Sequence, residues 1–185
     1  MEGAPTTAGR IFDAMLNVNP GEPRQRVGLT GGNRMTTSHT APSPSAETVP
    51  ALSGIHHIGL TVRDVEASTD WYQRVLGLRR WFQESHHHSD QGGFTVVLTT
   101  SDMSFSVGLD HHPGNPGEAF DCTRTGLDHV CFHVAAEEDL HAWAAHLDAV
   151  DVHHSGVYAM EGFPISLVTF LDPDGIQLEL LAIHS

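Results

Sequence analysis

From Gly54 onward, apolar and polar residues alternate in short runs that are typical of β-strands, and longer amphipathic stretches lie between some of these runs. Residues 55–62 form the first predicted strand, and Asp64 follows at a position where it can cap a helix over residues 65–77. Gly77 suits the C-terminal cap of that helix. Three further strands are predicted in this half, over residues 78–84, 94–100 and 103–110. The order is therefore β-α-β-β-β.

The same order is predicted again after a polar connector rich in Gly and Pro, residues 113–126. The second half contains a strand over residues 127–134, a helix over 137–150, and strands over 152–155, 165–171 and 176–182. A shift of 72 residues maps His57 onto His129 and Trp71 onto Trp143 without a gap. This agreement predicts two copies of one supersecondary unit.

Residues 1–52 are rich in Gly, Pro, Thr and Ser, and they predict a disordered N-terminal tail before one domain over residues 53–185. The two modules of that domain are expected at about residues 54–112 and about 127–185. The segment that starts at Met35 would also serve as a native N-terminus, so a true start at Met1 or at Met35 stays open.

The charge of the chain argues against one class of partner. The formal net charge is −14, and the nine basic residues are all arginine. Such an acidic surface repels phosphate backbones, so nucleic-acid binding is not expected.

No apolar run is long enough to span a bilayer and no secretory signal is visible, so a cytoplasmic protein without membrane contact is expected. Cys122 and Cys131 do not indicate a disulfide framework, and Cys131, within a predicted strand, is interpreted as a buried thiol.

Strand alternation places His57 and His129 at equivalent positions on a sheet face that the helices do not cover. The last strand puts Glu179 between Leu178 and Leu180, where a buried carboxylate needs a partner. A metal ion is one such partner, because two imidazoles and one carboxylate form a donor set that suits Fe(II) and can also hold Mn, Ni, Co or Zn. The alternative interpretation of each histidine is a hydrogen-bonded residue of the core or rim.

Three motifs carry a family resemblance, and they read IHHIGLTVRDVEASTDWYQRVLGL, GLDHVCFHV and FLDPDGIQLELL. Through them, residues 54–185 resemble the vicinal oxygen chelate superfamily of glyoxalases, bleomycin-resistance proteins, fosfomycin-resistance enzymes and extradiol dioxygenases. The resemblance implies an α+β fold in which two paired βαβββ modules form a curled mixed sheet around a metal-centred cavity.

The resemblance also implies a ligand set. His57 and His129 fall on the first-strand ligand positions of the two modules, and Glu179 falls on the last-strand position of the second. The remaining position falls at Gly108, which has no side chain to ligate a metal. Three ligands resemble the arrangement of extradiol dioxygenases more than the four-ligand pattern of the glyoxalase I type, and they leave metal positions open for water or substrate oxygens.

Candidates for proton transfer are less constrained. His133 is expected on the same face as the ligands, and His133 and Tyr158 are the predicted catalytic residues. Asp110 and His112 share the face of the missing ligand, and either is a candidate for a substitute ligand or for the general base. The three histidines at 86–88 lie in a polar loop and are interpreted as solvated.

These expectations together predict a metal-dependent enzyme that acts on a small oxygenated molecule able to chelate the metal. Dioxygenase-like and glyoxalase-like lyase or isomerase chemistry both stay open, since many ring-cleaving members carry an additional pair of modules that this chain lacks. The alternatives are a metal-free drug-binding protein of the bleomycin-resistance type and a metal-bound scaffold without turnover. A homodimer is expected from the family, in which module pairing sometimes crosses chains.

Overall fold

The computed structural model describes residues 50–86 and 92–184. The first half of this part forms β1 (His57–Thr61), α1 (Val65–Leu76), β2 (Arg79–Ser85), β3 (Phe94–Thr99) and β4 (Ser106–His111). The second half forms β5 (His129–His133), α2 (Glu137–Ala149), β6 (Tyr158–Ala159), β7 (Ile165–Leu171) and β8 (Gln177–Ile183). The predicted order β-α-β-β-β is confirmed in both halves.

The strands form two four-stranded mixed sheets with the same topology. Sheet one has the strand order β1-β4-β3-β2, and sheet two has the order β5-β8-β7-β6. β1 pairs with β4 and β5 pairs with β8 in parallel, while the other neighbours are antiparallel. Neither sheet closes on itself, so the predicted α+β class with paired, curled mixed sheets is confirmed.

The ends of α1 follow from local chemistry. The side chain of Asp64 accepts a hydrogen bond of 3.0 Å from the amide of Ala67, which satisfies one of the free N–H groups at the helix start. Gly77 ends the helix at φ 66°, a left-handed conformation that glycine adopts without steric cost. Both predicted caps are confirmed.

Two predicted strands differ from the structure. β4 begins at Ser106, later than predicted, because Asp102 accepts hydrogen bonds from Thr100 and Ser104 and holds the preceding residues in a turn. The strand predicted over residues 152–155 is wrong, since the chain makes an isolated bridge there at His154. The short strand β6 forms further on instead, after Gly156 turns the chain at φ 73°.

The helices cover one face of each sheet and contribute to a core shared by the two modules. Leu60 and Val62 in the first module and Leu178 and Leu180 in the second are buried in this core. Burying such side chains is the main favourable contribution to folding. The opposite faces, which carry the predicted ligands, are left for a site, as strand alternation predicted.

Polar contacts join the two modules across the core. The hydroxyl of Tyr72 in α1 donates a hydrogen bond of 2.9 Å to Asp172, which follows β7. The guanidinium of Arg63 lies 2.7 Å from Asp174 in the same turn. These contacts fix the start of the second module's last strand against the first module.

The predicted N-terminal tail, residues 1–52, lies almost entirely outside the described residues, so that prediction and the choice of start site stay open. In the part of the chain that the structure describes, no helix has the length and apolar character needed to cross a membrane.

Candidate metal centre

Two of the three predicted metal ligands lie side by side on sheet two. His129 is in β5 and Glu179 is in the neighbouring parallel strand β8, where Cys131 is the residue paired with Glu179. Nε2 of His129 is 3.8 Å from a carboxylate oxygen of Glu179. Glu179 is only 6% exposed. Two donors on adjacent strands are thus held within reach of a common ion.

The second ring nitrogen of His129 is held by a residue that sequence reasoning missed. Nδ1 of His129 lies 2.7 Å from a carboxylate oxygen of Asp128. A carboxylate only accepts, so Nδ1 donates and Nε2 is the ring nitrogen that faces Glu179 and could bind a metal. A carboxylate on the outer nitrogen is the usual support for a metal-binding histidine, because it fixes the tautomer and the ring.

The surroundings of Glu179 fit a cation. The side-chain amide of Gln177 donates a hydrogen bond of 2.8 Å to one carboxylate oxygen, and Nε2 of His129 lies 3.8 Å from the other. A buried carboxylate is costly unless hydrogen bonds and an opposite charge compensate for its lost hydration. A divalent ion held by His129 and Glu179 would supply the opposite charge, and these nitrogen and oxygen donors suit a first-row transition metal.

The negative charge of Glu179 reaches two neighbouring side chains. Desolvation and the Glu179 carboxylate raise the pKa of the Cys131 thiol to about 12. Burial and the same carboxylate also raise the pKa of Tyr158 above its ordinary value. Cys131 is an exposed residue on the same open face as His129, so its interpretation as a buried thiol is wrong. Its sulfur is nevertheless partly desolvated by neighbouring atoms.

His57 lies on the equivalent open face of sheet one. It lines a cavity of about 290 Å³ together with Trp81 and Phe82 of β2. A bulge between Arg80 and Phe82 explains how two consecutive aromatic residues reach the same cavity. His57 is therefore placed beside a space that a small molecule could enter.

The Nδ1 atom of His57 also has a close partner. Nδ1 of His56 lies 3.1 Å from Nδ1 of His57. The shift of 72 residues that relates the modules maps His56 onto Asp128 and His57 onto His129. Each module thus places a polar side chain on Nδ1 of its first-strand histidine. Asp128 directly precedes His129, and that adjacency is the sequence signal by which it could have been found.

The three predicted ligands are divided between the two sheets. Among the described residues, His57 does not form a group of ligand atoms within 4.8 Å with His129 and Glu179. The structure therefore brings together the histidine and the carboxylate of the second module, and it leaves the histidine of the first module on a separate face. The assignment of all three as ligands of one ion stays a prediction.

The two predicted catalytic residues lie near this pair in sheet two. His133 is exposed at the end of β5, on the same face as His129, and pairs in register with Leu181. Tyr158 is half-buried in β6, and the nearby carboxylate of Glu179 adds to the effect of burial in raising its pKa. Their roles in proton transfer stay predictions.

Gly108 lies in β4 opposite Gly59, and as a glycine it offers no side chain to a metal. Asp110 and His112, the candidates to replace the missing metal ligand, lie beside His86. The ligand atoms of these three residues are all within 4.8 Å of one another. The solvated-loop interpretation is therefore wrong for His86, while the next two histidines lie outside the described residues.

Comparison with known proteins places this chain in a family. A family model described as Glyoxalase/Bleomycin resistance protein/Dioxygenase superfamily matches residues 54–180. The glyoxylase/bleomycin resistance protein/dioxygenase domain from Frankia sp. EAN1pec is 28% identical with a TM-score of 0.62, and the match covers 72% of this chain and 100% of that one. TnmS3, an antibiotic binding protein from Streptomyces sp. CB03234, shares the fold at 18% identity and a TM-score of 0.53, over 73% of this chain and 99% of that one.

One curated relative is longer than this chain. The protein named "Putative ring-cleaving dioxygenase MhqA", from Bacillus subtilis (strain 168), is 24% identical over an alignment of 139 residues that covers 71% of this chain and 40% of that protein. This chain thus spans less than half of its relative's length. Because the family model covers most of the chain and the fold agrees, the chain belongs to the Glyoxalase/Bleomycin resistance protein/Dioxygenase superfamily.

Proposed function

We propose that this chain is a metal-dependent enzyme that acts on a small molecule with two adjacent oxygens, with ring cleavage by dioxygen as the favoured reaction. One observation carries the proposal. The buried carboxylate of Glu179 lies 3.8 Å from Nε2 of His129, whose other nitrogen is held by Asp128. This arrangement prepares two donors for a divalent cation, with Fe(II) favoured and Mn, Ni, Co or Zn as alternatives.

The metal, when bound, would supply Lewis-acid chemistry to the adjacent substrate oxygens and a site for dioxygen. His129 and Glu179 would hold it, and Asp128 would fix the ring of His129. Tyr158, whose pKa is raised by burial and by Glu179, stays protonated at neutral pH and can donate a hydrogen bond to an anionic substrate oxygen. His133, exposed on the same face, is placed to accept a proton from an entering hydroxyl group.

The third ligand requires a second chain in this proposal. His57 is on sheet one and the other two ligands are on sheet two, so sheet one of one copy would face sheet two of another. Exposed aromatic side chains support this, since Trp81 is 51% and Phe82 is 39% exposed beside His57. Such apolar side chains on an open sheet face are typical of an interface or a ligand site.

Two considerations support ring cleavage over lyase or isomerase chemistry. The proposed set of two histidines and one carboxylate would leave metal positions for both a chelating substrate and dioxygen. The relative MhqA is named as a ring-cleaving dioxygenase, although this chain spans only 40% of it. For this chain we propose only the class of reaction, and not the full activity of that longer protein.

Oxygen uptake tests this proposal. Purified full-length protein loaded anaerobically with Fe(II) would be mixed with a panel of catechols and hydroquinones, and Glu179→Gln would serve as the matched control. We expect oxygen uptake with at least one substrate, reduced at least about 100-fold in the control. No uptake by the Fe(II)-loaded wild type with any substrate of the panel would contradict ring cleavage.

A second candidate function is a metal-free binding protein that sequesters a small molecule. The cavity of about 290 Å³ beside Trp81 and Phe82 favours it, because aromatic side chains bind planar ligands well. The fold is shared with an antibiotic binding protein, TnmS3, so the fold itself is compatible with either function. Full binding of an aromatic ligand after removal of all metal with a chelator, without any oxygen uptake, would favour this function.

A further inference from the structure

A second group of ligand-type side chains lies at one end of sheet one, separate from the His129–Glu179 pair. It consists of His86, just after β2, Asp110 in β4, and His112, just after β4. Their ligand atoms all lie within 4.8 Å of one another, and Nε2 of His86 is 3.2 Å from Oδ1 of Asp110. We call this group the His86 cluster.

The topology of sheet one explains why these residues meet. Asp110 and His112 are two positions apart, so alternation places them on the same face of the chain. β3 lies between β2 and β4, and its first residue, Phe94, pairs with Ser85 on one side and with His111 on the other. The last residues of β2 and the last residues of β4 therefore lie at the same end of the sheet.

The carboxylate of Asp110 is held in place before any ion binds. Thr95 is its partner in the β3–β4 register, and the hydroxyl of Thr95 donates a hydrogen bond to Oδ1 of Asp110. The side chains of His86 and Asp110 are only 15% and 20% exposed. A partly buried carboxylate that is already oriented by a hydroxyl is a suitable first donor for a cation.

Glycines on the same face leave room for this carboxylate. A Cβ atom at Gly59 would lie only 3.1 Å from Oδ2 of Asp110, so a larger residue there would push the carboxylate away. The register pairs Gly59 with Gly108 in sheet one, as it pairs Cys131 with Glu179 in sheet two. In sheet two the side chains of Cys131 and Glu179 occupy this position. In sheet one two glycines leave the same position free for the carboxylate of Asp110.

We propose that the His86 cluster is a second metal site, which binds a divalent first-row transition ion through His86, Asp110 and His112. Two imidazoles and one carboxylate suit such ions, and the 3.2 Å between two of the donor atoms fits ligands that share one ion with bonds of about 2.1 Å. The formal net charge of −14 favours cations near the surface of this protein. The site goes beyond the proposed function, because it uses none of the residues assigned to that function.

A Co²⁺ titration of the metal-free full chain tests this site, followed by visible absorption of the bound ion and by elemental analysis after gel filtration. We expect Asp110→Asn and His112→Ala each to bind one equivalent less than the wild type. His111→Ala is the matched control, because His111 lies between them on the opposite face and stacks on Phe94 with ring centroids 5.0 Å apart. That control is expected to bind Co²⁺ like the wild type.

Glu179→Gln distinguishes this site from the one in the proposed function. If Asp110→Asn and Glu179→Gln each lose an equivalent and the double variant loses both, the second site is supported. If Asp110→Asn loses an equivalent and Glu179→Gln loses none, the second site is still supported while the proposed function fails.

Two results would overturn the second site. One is wild-type stoichiometry and affinity in both Asp110→Asn and His112→Ala. The other is a single equivalent in the wild type that is lost equally in Asp110→Asn and Glu179→Gln, since one shared ion would then explain both. Thr95→Val keeps every donor and covers the case of poorly folded ligand variants. It is expected to weaken Co²⁺ binding about 10-fold or more at unchanged stoichiometry, and unchanged affinity would contradict the role of Thr95.

Discussion

Asp128 accepts a hydrogen bond of 2.7 Å from Nδ1 of His129, and this contact leaves Nε2 of the ring available on the side of Glu179. The contact joins adjacent residues at the start of β5, so it depends on local geometry and holds before any ion is bound. It gives the candidate metal centre a histidine ligand whose ring orientation is fixed in advance.

Asp128→Asn is expected to weaken metal binding at the His129–Glu179 pair by about 10- to 100-fold, because the amide no longer enforces the tautomer that His129 needs. The measurement is competition for Zn²⁺ with a chelator of known affinity. Asp70→Asn, an exposed aspartate of α1, is the matched control and should leave the affinity unchanged. Equal affinity in Asp128→Asn and the wild type would contradict the role of Asp128.

The crossed arrangement of two copies gives a complementation test. Neither His57→Ala nor Glu179→Gln should hold the metal alone, and both would carry Asp110→Asn so that the His86 cluster does not contribute. Co-expressed with different tags and purified as mixed dimers, the two variants should recover about one intact site per dimer, because one face combines the unaltered His57 with the unaltered Glu179. Mixed dimers without metal, or a chain that is monomeric, would show that the site does not cross chains.

The reactivity of Cys131 in the metal-free protein reports its desolvation and the charge of Glu179. With the pKa raised to about 12, the thiol is almost entirely protonated at pH 8, and only the thiolate reacts with iodoacetamide. Cys131 should therefore be alkylated more slowly than the exposed Cys122 in the folded protein, and at a similar rate after denaturation.

In the metal-free protein, Glu179→Gln should speed the alkylation of Cys131, because removal of the negative charge lowers the pKa of the thiol although its desolvation remains. The rates at both cysteines can be followed by mass spectrometry of peptides. A Cys131 that reacts as fast as Cys122 in the folded wild type would contradict this electrostatic account.

Tyr72→Phe tests the contact that joins the two modules. Burial raises the pKa of Tyr72, so the hydroxyl stays protonated and donates to Asp172, which is itself buried. Loss of this donor should lower the free energy of unfolding by about 1–3 kcal/mol, measured by urea denaturation. Tyr158→Phe, at a half-buried tyrosine, is the control and should cost less.

Much of the fold could be predicted from the sequence because its signals are local. Alternation within single strands identified the faces that carry His57, His129 and Glu179, and those faces are as predicted. The caps at Asp64 and Gly77 depend on a few neighbouring residues, and both are present. The internal repeat then predicted the same topology for both sheets.

The rest of the candidate site depends on contacts that the sequence does not encode locally. His86 reaches Asp110 only because β3 sets the register between β2 and β4, and the bulge at Arg80 changes which side chains of β2 face the cavity. The position of His57 relative to Glu179 depends on how the two modules are assembled. Alternation within a strand carries no information on that assembly.

The metal content of Glu179→Gln tests the central claim most directly. Wild type and variant would be purified without tags under identical conditions, checked for folding by circular dichroism, and analysed for transition metals per chain. We expect the variant to lose one equivalent relative to the wild type, because the substitution keeps the shape of Glu179 but removes its charge and an anionic donor. A folded variant that retains the full metal content of the wild type would contradict the claim that Glu179 and His129 hold an ion.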